Sequence, residues 1–277
     1  MRGTLFSAVL AAAAVALAGA DSAGGAPRAP RIVSINPCVD AVLMRVADPA
    51  QIAGISHYSQ DPRATSIPLA QAMRFTATSG TAEEVVALSP DLVIAGGHVA
   101  PSTIAALKRL GIKLIQLPVP VTIAQSNAQI RTIADAVGQH ARGARLVAQI
   151  DAAVSAAAAP AGARAEPALI WQGGGLVPGS GTLSDDLLRV TGYRNLSASY
   201  GLKQWDVLPL EYLVARPPRV LLTVGAVDPD DRLLGHPVLR QLKSRIAIRA
   251  YPARLMQCGG PTIIDAVRRL AVVRRSL

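Results

Sequence analysis

The sequence predicts an α/β protein with two lobes built from a duplicated unit. Short apolar segments alternate with helical patterns, which is typical of parallel sheets with both faces covered. A long helical stretch at residues 139–160 has no strand pattern beside it, and a segment of the first half recurs in the second half. We therefore expect an N-terminal lobe at residues 31–138, a connecting helix at 139–160 and a C-terminal lobe at 161–277.

The N-terminal residues predict export from the cytoplasm. Arg2 precedes an apolar run from Leu5 to Leu17, and Ala18-Gly19-Ala20 follows it. This order is typical of a cleavable signal peptide, here residues 1–20, and the run is too short to span a bilayer. Residues 21–30, rich in Gly, Ala and Pro, are interpreted as a flexible leader. We expect a periplasmic protein.

The elements of the first lobe follow in order along the chain. Buried parallel strands are predicted at Arg31–Ile35, Asp91–Ala95 and Lys113–Leu117, because each is an apolar run stopped within two residues by Pro or Gly. The stretch Ser102–Leu110 has the pattern of a helix, and Gly111 is placed to end it.

Two helical patterns lead into a second round of alternation. Helices are predicted over Ile123–Val137 and His140–Ala159, and the second would reach about 30 Å, the width of a small domain. It could therefore join two lobes as a rigid strut. Strands are predicted at Ala168–Trp171 and Arg219–Val224, with a helix at Ser184–Thr191 between them.

The internal repeat supplies a pair of candidate functional residues. The segment that begins at Glu83 matches the segment that begins at Glu211, 128 positions later. Each copy is a glutamate, a short helix, a proline and a buried strand. The helix dipole explains a carboxylate in one first turn but not its recurrence in both copies. Thr81 and Glu84 are predicted to form a capping box, which leaves Glu83 pointing outward.

The two cysteines, Cys38 and Cys258, lie near opposite ends of the chain. In an oxidising compartment a disulfide is the default interpretation. If they are free, the two thiols and His57 or His98 would make a soft metal or metal-chelate site. The spacing of a standard metal motif does not occur here, and the sequence leaves both alternatives open.

Composition and motifs weigh against two classes of function. The net charge is +10, but Lys and Arg are scattered and aromatic residues make up only 3% of the chain, so we expect no nucleic-acid binding. Gly179-Ser180-Gly181 and the acids Asp185 and Asp186 could contribute to a hydrolase, but the G-x-S-x-G elbow is absent. We expect no enzyme and no cofactor, with a periplasmic hydrolase or a thiol- or metal-dependent enzyme on the same fold as the alternative.

The segment AEEVVALSPDLVIAGG at residues 82–97, with residues 54–62, resembles the periplasmic binding proteins for vitamin B12 and ferric siderophores. The similarity spans essentially the whole mature chain. It implies two Rossmann-like lobes with central parallel sheets, joined by one long α-helix, and a ligand cleft between the lobes.

The same resemblance implies the extracytoplasmic substrate-binding component of an ABC importer. Such a component captures a metal chelate (a ferric siderophore, haem or a cobalamin-like corrinoid) and delivers it to the membrane subunits of the permease. We expect a monomer. A ligand sensor without transport would keep the same fold and is a further alternative.

The resemblance also implies roles for individual residues. Glu83 and Glu211 would dock into arginine pockets of the permease, one from each lobe. Tyr58 and Trp205 fall where B12-binding members carry aromatic residues, but residues 78–80 replace a further Trp of those members, which weakens the expectation of a corrinoid. The expected ligand-binding residues of the cleft are Cys38, His57, Tyr58, Gly97, His98, Gly174, Trp205 and Cys258.

Overall fold

The structure is a computed structural model that describes residues 28–225, 237 and 245–277. The predicted signal peptide and most of the predicted leader lie outside the described residues. The chain has the predicted α/β fold with two separate parallel sheets. Within the described part of the chain, no helix is both long enough and apolar enough to cross a membrane.

The first sheet belongs to the N-terminal half of the chain. Its strands are β1 (Ile32–Ser34), β2 (Ile52–Ser56), β3 (Ala77–Thr78), β4 (Leu92–Ala95) and β5 (Leu114–Gln116). The helices among them are α1 (Pro37–Val46), α2 (Leu69–Ala72), α3 (Ala82–Ala87) and α4 (Pro101–Arg109). The strands are parallel in the order β3-β2-β1-β4-β5. The strand order therefore reverses between β1 and β4, which makes a topological switch point there.

Two helices, α5 (Ile123–Ala136) and α6 (His140–Ala157), separate the two sheets in sequence. The 18 residues of α6 span about 27 Å at the usual helical rise. One face of α6 buries Leu146, Val147 and Ile150, and α6 packs against α5. The predicted connecting helix is therefore present, although the predicted lobe boundaries themselves stay a prediction.

The C-terminal half builds the second sheet. Its elements are β6 (Glu166–Trp171), β7 (Leu176–Pro178), α7 (Leu183–Val190), β8 (Tyr193–Asn195), β9 (Trp205–Val207), α8 (Leu210–Ala215), β10 (Val220–Val224), β11 (Ala247–Tyr251), α9 (Arg254–Gln257) and α10 (Thr262–Arg275). The parallel sheet has the order β11-β10-β6-β8, and β7 pairs with β9 in a separate antiparallel ribbon.

The strands are buried on both faces, which explains their continuous apolar sequence. Ile32 and Ile170 face a core cluster shared by both halves of the chain, which also contains the apolar faces of α1, α5, α6 and α10. Val33 and Trp171 face two smaller clusters, one on the outer side of each sheet. One continuous core thus packs the two lobes together.

The predicted repeat is visible as equivalent structure. The helices α3 and α8 each have six residues and each precede a strand in the middle of a sheet, β4 and β10. Val85 and Leu213 occupy matching positions in the repeat and are both fully buried. The two copies therefore pack against their sheets in the same way and expose matching surfaces.

Arg274 joins the C-terminal ends of two helices. Its guanidinium donates to the carbonyl oxygens of Ala157 (3.1 Å) and Ala158 (2.9 Å) at the end of α6, and to that of Thr191 at the end of α7. These last carbonyls have no partner within their helices and lie at the negative end of the helix dipole. A cation here satisfies both requirements.

We expect the Arg274→Met substitution to lower the free energy of unfolding by about 1.5 to 3 kcal/mol, since hydrogen bonds to a charged group are lost. Urea denaturation of the purified protein measures this change. The exposed side chain of the neighbour Arg275 makes no hydrogen bond to the described chain, so Arg275→Met is the matched control, with an expected change below about 0.5 kcal/mol. Equal effects of the two substitutions would contradict the capping role.

Candidate functional site

A cavity of about 540 Å³ lies between the two lobes. On the N-terminal side it is bounded by the start of α1, the loops after β4 and β5, and α5. On the C-terminal side it is bounded by the start of α7, the start of β9 and the loop between α9 and α10. Since α1 follows β1, the cavity lies at the switch point between β1 and β4, where open α/β sheets bind ligands.

The structure separates the predicted ligand-binding residues into two groups. Residues that line the cavity are Cys38, Gly97, His98, Trp205 and Cys258. Residues that lie outside the cavity lining are His57, Tyr58 and Gly174. The structure thus brings five of the eight together at one cavity, and ligand contact stays a prediction for all eight.

His57 and Tyr58 face the edge of the sheet. The Nδ1 atom of His57 lies 3.2 Å from the carbonyl oxygen of Thr78, and since a carbonyl can only accept, this nitrogen carries the proton. The rings of His57 and Tyr58 pack together with their centroids 4.1 Å apart, and Tyr58 is 52% exposed. The pair is thus engaged with the end of β3 and with solvent.

The two predicted glycines lie in different parts of the structure. Gly174 has a φ of 72° in a tight turn after β6, so its role there is to allow a left-handed backbone. Gly97 lines the cavity, but its neighbour Gly96 is the one that close packing requires. A Cβ atom on Gly96 would lie 2.0 Å from Nδ2 of Asn36, whereas on Gly97 the nearest atom would be 3.5 Å away.

Asn36 explains why α1 begins at the cavity. Its side-chain oxygen accepts hydrogen bonds from the backbone N–H groups of Cys38 (2.9 Å) and Val39 (3.2 Å), which caps the first turn. Pro37 follows at the first helical position. The close approach of Gly96 holds the Asn36 amide between β1 and β4, and so places Cys38 in the cavity wall.

Cys38 and Cys258 form a disulfide in the structure, with their Cα atoms 5.1 Å apart. The bond joins the start of α1 to the loop after α9, across 220 residues of sequence. Next to it, the Gly260 N–H donates to the Ser126 hydroxyl on α5 (2.7 Å). The free-thiol metal site considered above is therefore not the arrangement found, and the described residues contain no cluster of His, Cys, Asp or Glu that could hold a metal ion.

One buried carboxylate supports this wall of the cavity. Asp40 on α1 is fully buried and accepts hydrogen bonds from the Ser56 N–H (3.0 Å) and the Ser59 hydroxyl (2.6 Å). Its Oδ1 atom has no hydrogen-bond partner among the described residues. Burial raises the pKa of Asp40 to about 7, although the hydrogen bonds from Ser59 and Ser56 oppose the shift. Asp40 thus holds the turn that carries His57 and Tyr58.

Glu83 and Glu211 are both exposed in the first turns of α3 and α8. The predicted capping box is only half correct. The first half is present, because the Thr81 hydroxyl accepts from the Glu84 N–H (3.3 Å). In the second half, the Glu84 carboxylate accepts from the Ser79 N–H (2.6 Å) and the Thr78 hydroxyl instead of from the backbone N–H of Thr81. These bonds hold the pKa of Glu84 below its usual range. Glu83 is left on the outer surface.

Several polar residues of the cavity were not predicted. They are uncharged amides and hydroxyls from both lobes: Asn36, Ser126, Gln129, Thr182, Ser184, Gln204 and Gln257. Such residues have no characteristic spacing, because the fold brings them together from distant segments. The Asn36-Pro37 pair was the one local signal available, since it is typical of a helix start.

Comparisons with known proteins agree with this geometry. The model of the family described as "Periplasmic binding protein" matches residues 32–245. A curated "Cobalamin-binding protein" of Halobacterium salinarum is 26% identical over 208 residues, which cover 72% of this chain and 54% of the relative. The chain therefore spans about half the length of the curated relatives it matches.

Solved structures with the same fold include three periplasmic binding proteins. The apo haem-binding protein RhuT from Roseiflexus sp. RS-1 is 25% identical with a TM-score of 0.72, covering 88% of this chain and 97% of that one. The haem-binding protein HutB of Vibrio cholerae is 18% identical with a TM-score of 0.74, and the match covers 88% of this chain and 98% of that one. The vitamin B12-binding protein BtuF of Vibrio cholerae is 16% identical with a TM-score of 0.70, and the match covers 90% of this chain and 97% of that one.

The disulfide makes a direct chemical prediction. We expect a thiol reagent to find no reactive cysteine in the denatured, non-reduced protein and two after reduction. The Cys38→Ser/Cys258→Ser variant should lose about 2 to 5 kcal/mol of unfolding free energy, because a long loop is no longer closed in the unfolded chain. Wild-type protein measured under reducing conditions is the control and should lose the same amount. Two reactive thiols before reduction would exclude the bond.

Asp40 predicts a dependence of stability on pH. Because its pKa is about 7 in the folded state and 3.8 when unperturbed, the folded chain binds a proton between these values that the unfolded chain does not bind. The free energy of unfolding should therefore fall as pH rises from about 4 to about 7, by at most about 4 kcal/mol from this group.

The Asp40→Asn variant tests this dependence, since the amide oxygen can accept the same two hydrogen bonds without ionising. Urea denaturation at pH 5 and pH 8 should show a smaller decrease for the variant than for the wild type. The same decrease in both proteins would show that Asp40 does not titrate in this range.

Proposed function

Because the chain belongs to the periplasmic binding protein family, we propose that it is the extracytoplasmic substrate-binding component of an ABC importer. The proposal rests on one observation above all, the cavity formed by both lobes at the carboxyl ends of parallel strands. A protein that binds in this cavity and releases to a partner needs loops from both lobes around the ligand. The present arrangement supplies them.

The ligand that we propose is a small metal chelate: a ferric siderophore, haem or a cobalamin-like corrinoid. The cavity volume of about 540 Å³ is within the usual range for small-molecule sites. Trp205 is 47% exposed at the cavity wall and can pack against a flat ring system. Relatives described as cobalamin-binding and haem-binding support this class of ligand.

Glu83 and Glu211 are the proposed contacts with the permease. Each is exposed on a six-residue helix at matching places of the repeat. A carboxylate on each lobe suits a partner with two equivalent cationic pockets, because complementary charges guide encounter and fix orientation. The proposed location is the periplasm, and the proposed working form is a monomer that binds the chelate and the permease but not nucleic acid.

The residues that could serve a hydrolase have structural contacts instead. The Asp186 carboxylate accepts from the Ile123 N–H (2.8 Å) at the start of α5 and from Arg189. Asp185 accepts from the Gly181 N–H (3.3 Å), and the Gly179 N–H donates to the Gln204 carbonyl (2.6 Å). These contacts join α7 to α5 and to the β7–β9 ribbon, and they support a binding role without catalysis.

Ligand binding can be measured on the purified protein. We expect at least one chelate among cyanocobalamin, haemin and ferrichrome to be retained during ultrafiltration at one molecule per protein chain. The same chelate should quench tryptophan fluorescence. Trp205 should supply much of the quenching, since Trp171 is fully buried in the other core of that lobe. The Trp205→Phe variant is the matched control and should bind with a reduced signal. Retention of none of the three chelates would contradict the proposal.

Permease docking is tested separately. Glu83→Ala and Glu211→Ala should each weaken binding to the cognate permease in nanodiscs by about tenfold, as expected for loss of a charged interface contact. Affinity for the chelate should stay unchanged, because neither residue lines the cavity. The exposed acid Asp135 on α5 offers the control Asp135→Ala. If neither glutamate affects permease binding, the transport role is contradicted and a sensor becomes the better interpretation.

A further inference from the structure

We propose that Gln129, Gln204 and Gln257 form an acceptor set, which selects chelates that carry N–H donors around their edge. This inference rests on the proposed function and names the chemical class of ligand that this cavity prefers. All three residues line the cavity. They come from three different segments: α5, the residue before β9 and the end of α9.

The orientation of each amide follows from its backbone contact. Nε2 of Gln129 donates to the carbonyl oxygen of Pro118 (2.6 Å), and Nε2 of Gln204 donates to that of Gly181. A carbonyl oxygen can only accept, so the nitrogen of each amide must be the atom that faces it. The other amide atom, Oε1, is therefore the one left to interact with a ligand.

Gln257 follows the same rule and lies on the C-terminal side of the cleft, as Gln204 does. Its Nε2 donates to the carbonyl oxygen of Arg63 in the other half of the chain (3.4 Å). The residue immediately precedes Cys258, so the disulfide to Cys38 holds its backbone in place. Within the described chain, no donor occupies the Oε1 atom of any of the three glutamines.

The rest of the cavity wall has the same neutral character. The polar side chains among its described residues are amides, hydroxyls, the imidazole of His98 and the indole N–H of Trp205, and none of them is a carboxylate, ammonium or guanidinium group. A ligand carboxylate placed against the three glutamine oxygens would lose water without gaining a donor from them. A neutral N–H donor in the same place would complete a hydrogen bond at each glutamine.

This chemistry separates chelates of similar size. A ring bearing primary amides presents many N–H donors, whereas a ring bearing carboxylates presents only acceptors at neutral pH. The acceptor set therefore favours an amide-bearing complex over an acidic one. It also explains how a corrinoid-like ligand can be bound with few aromatic residues. Hydrogen bonds to the edge of the ligand ring take the place of aromatic side chains stacked on its face.

Two cobalt complexes with the same ring test this inference. Dicyanocobinamide carries primary amides, and the heptamethyl ester of dicyanocobyrinic acid replaces amides with methyl esters, which have no donors. We expect wild-type protein to bind the amide complex at least about tenfold more tightly, as measured by ultrafiltration and absorbance. Equal affinity for the two complexes, or preference for the ester, would overturn the acceptor role without requiring any variant.

The glutamine variants assign the preference to individual residues. Gln129→Met, Gln204→Met and Gln257→Met should each weaken binding of dicyanocobinamide by about 2- to 10-fold, the value of one neutral hydrogen bond. Binding of the ester should change by less than about twofold. The exposed Gln149 on α6 lies outside this cavity and supplies the control Gln149→Met. Equal loss for both complexes would mean that the glutamines shape the cavity without selecting donors, which also overturns the inference.

Haemin distinguishes this inference from the proposed function. If haemin binds more tightly than dicyanocobinamide, the acceptor set is wrong but the protein is still a chelate-binding component. If neither complex nor ferrichrome binds, both the inference and the proposed function fall.

Discussion

The shape of the cavity depends on one constraint: both lobes contribute buried residues to a single continuous apolar core. The faces of β1 and β6 that look toward α6 share this core, so α6 and α10 cannot separate from either sheet without exposing it. The Cys38–Cys258 bond and the contact between Gly260 and Ser126 add a covalent and a polar link at the cavity wall itself. The distance between the loops that face each other across the cleft is therefore set mainly by the scaffold rather than by the ligand.

This scaffold carries two separate surfaces with different proposed roles, the cavity lining and the outer positions of the repeat. Neutral polar groups and Trp205 face inward at the switch point of the first sheet, whereas the charged positions of the repeat face outward. Since the cavity lining and the proposed docking positions share no residue, the proposed ligand binding and permease docking can vary independently. A scaffold of this kind can serve different chelates by exchanging amide, hydroxyl and aromatic side chains on loops, without change to the sheets that carry them.

Most of the scaffold could be predicted because its signals are local. The run at residues 91–95 became β4 and the pattern at 140–159 became α6, since apolar period and turn residues act over short distances. The two-stranded ribbon of β7 and β9 was not predicted, because three-residue strands have little pattern. The sequence did not show that His57 and Tyr58 lie outside the cavity lining, because their turn is held by bonds from Ser56 and Ser59 to Asp40 on α1. The glutamines were missed because only the folded backbone orients their amides.

The central claim is that a metal chelate binds between the lobes, and anomalous X-ray diffraction tests it most directly. Crystals of the protein grown with dicyanocobinamide should show one cobalt peak per chain inside the cavity bounded by Trp205, Gln129 and Gln257. The electron density of the corrin ring in the same crystals would show which amides of the complex face the three glutamines. A cobalt peak elsewhere on the surface, or an empty cavity in a chain that retains the complex in solution, would contradict the account.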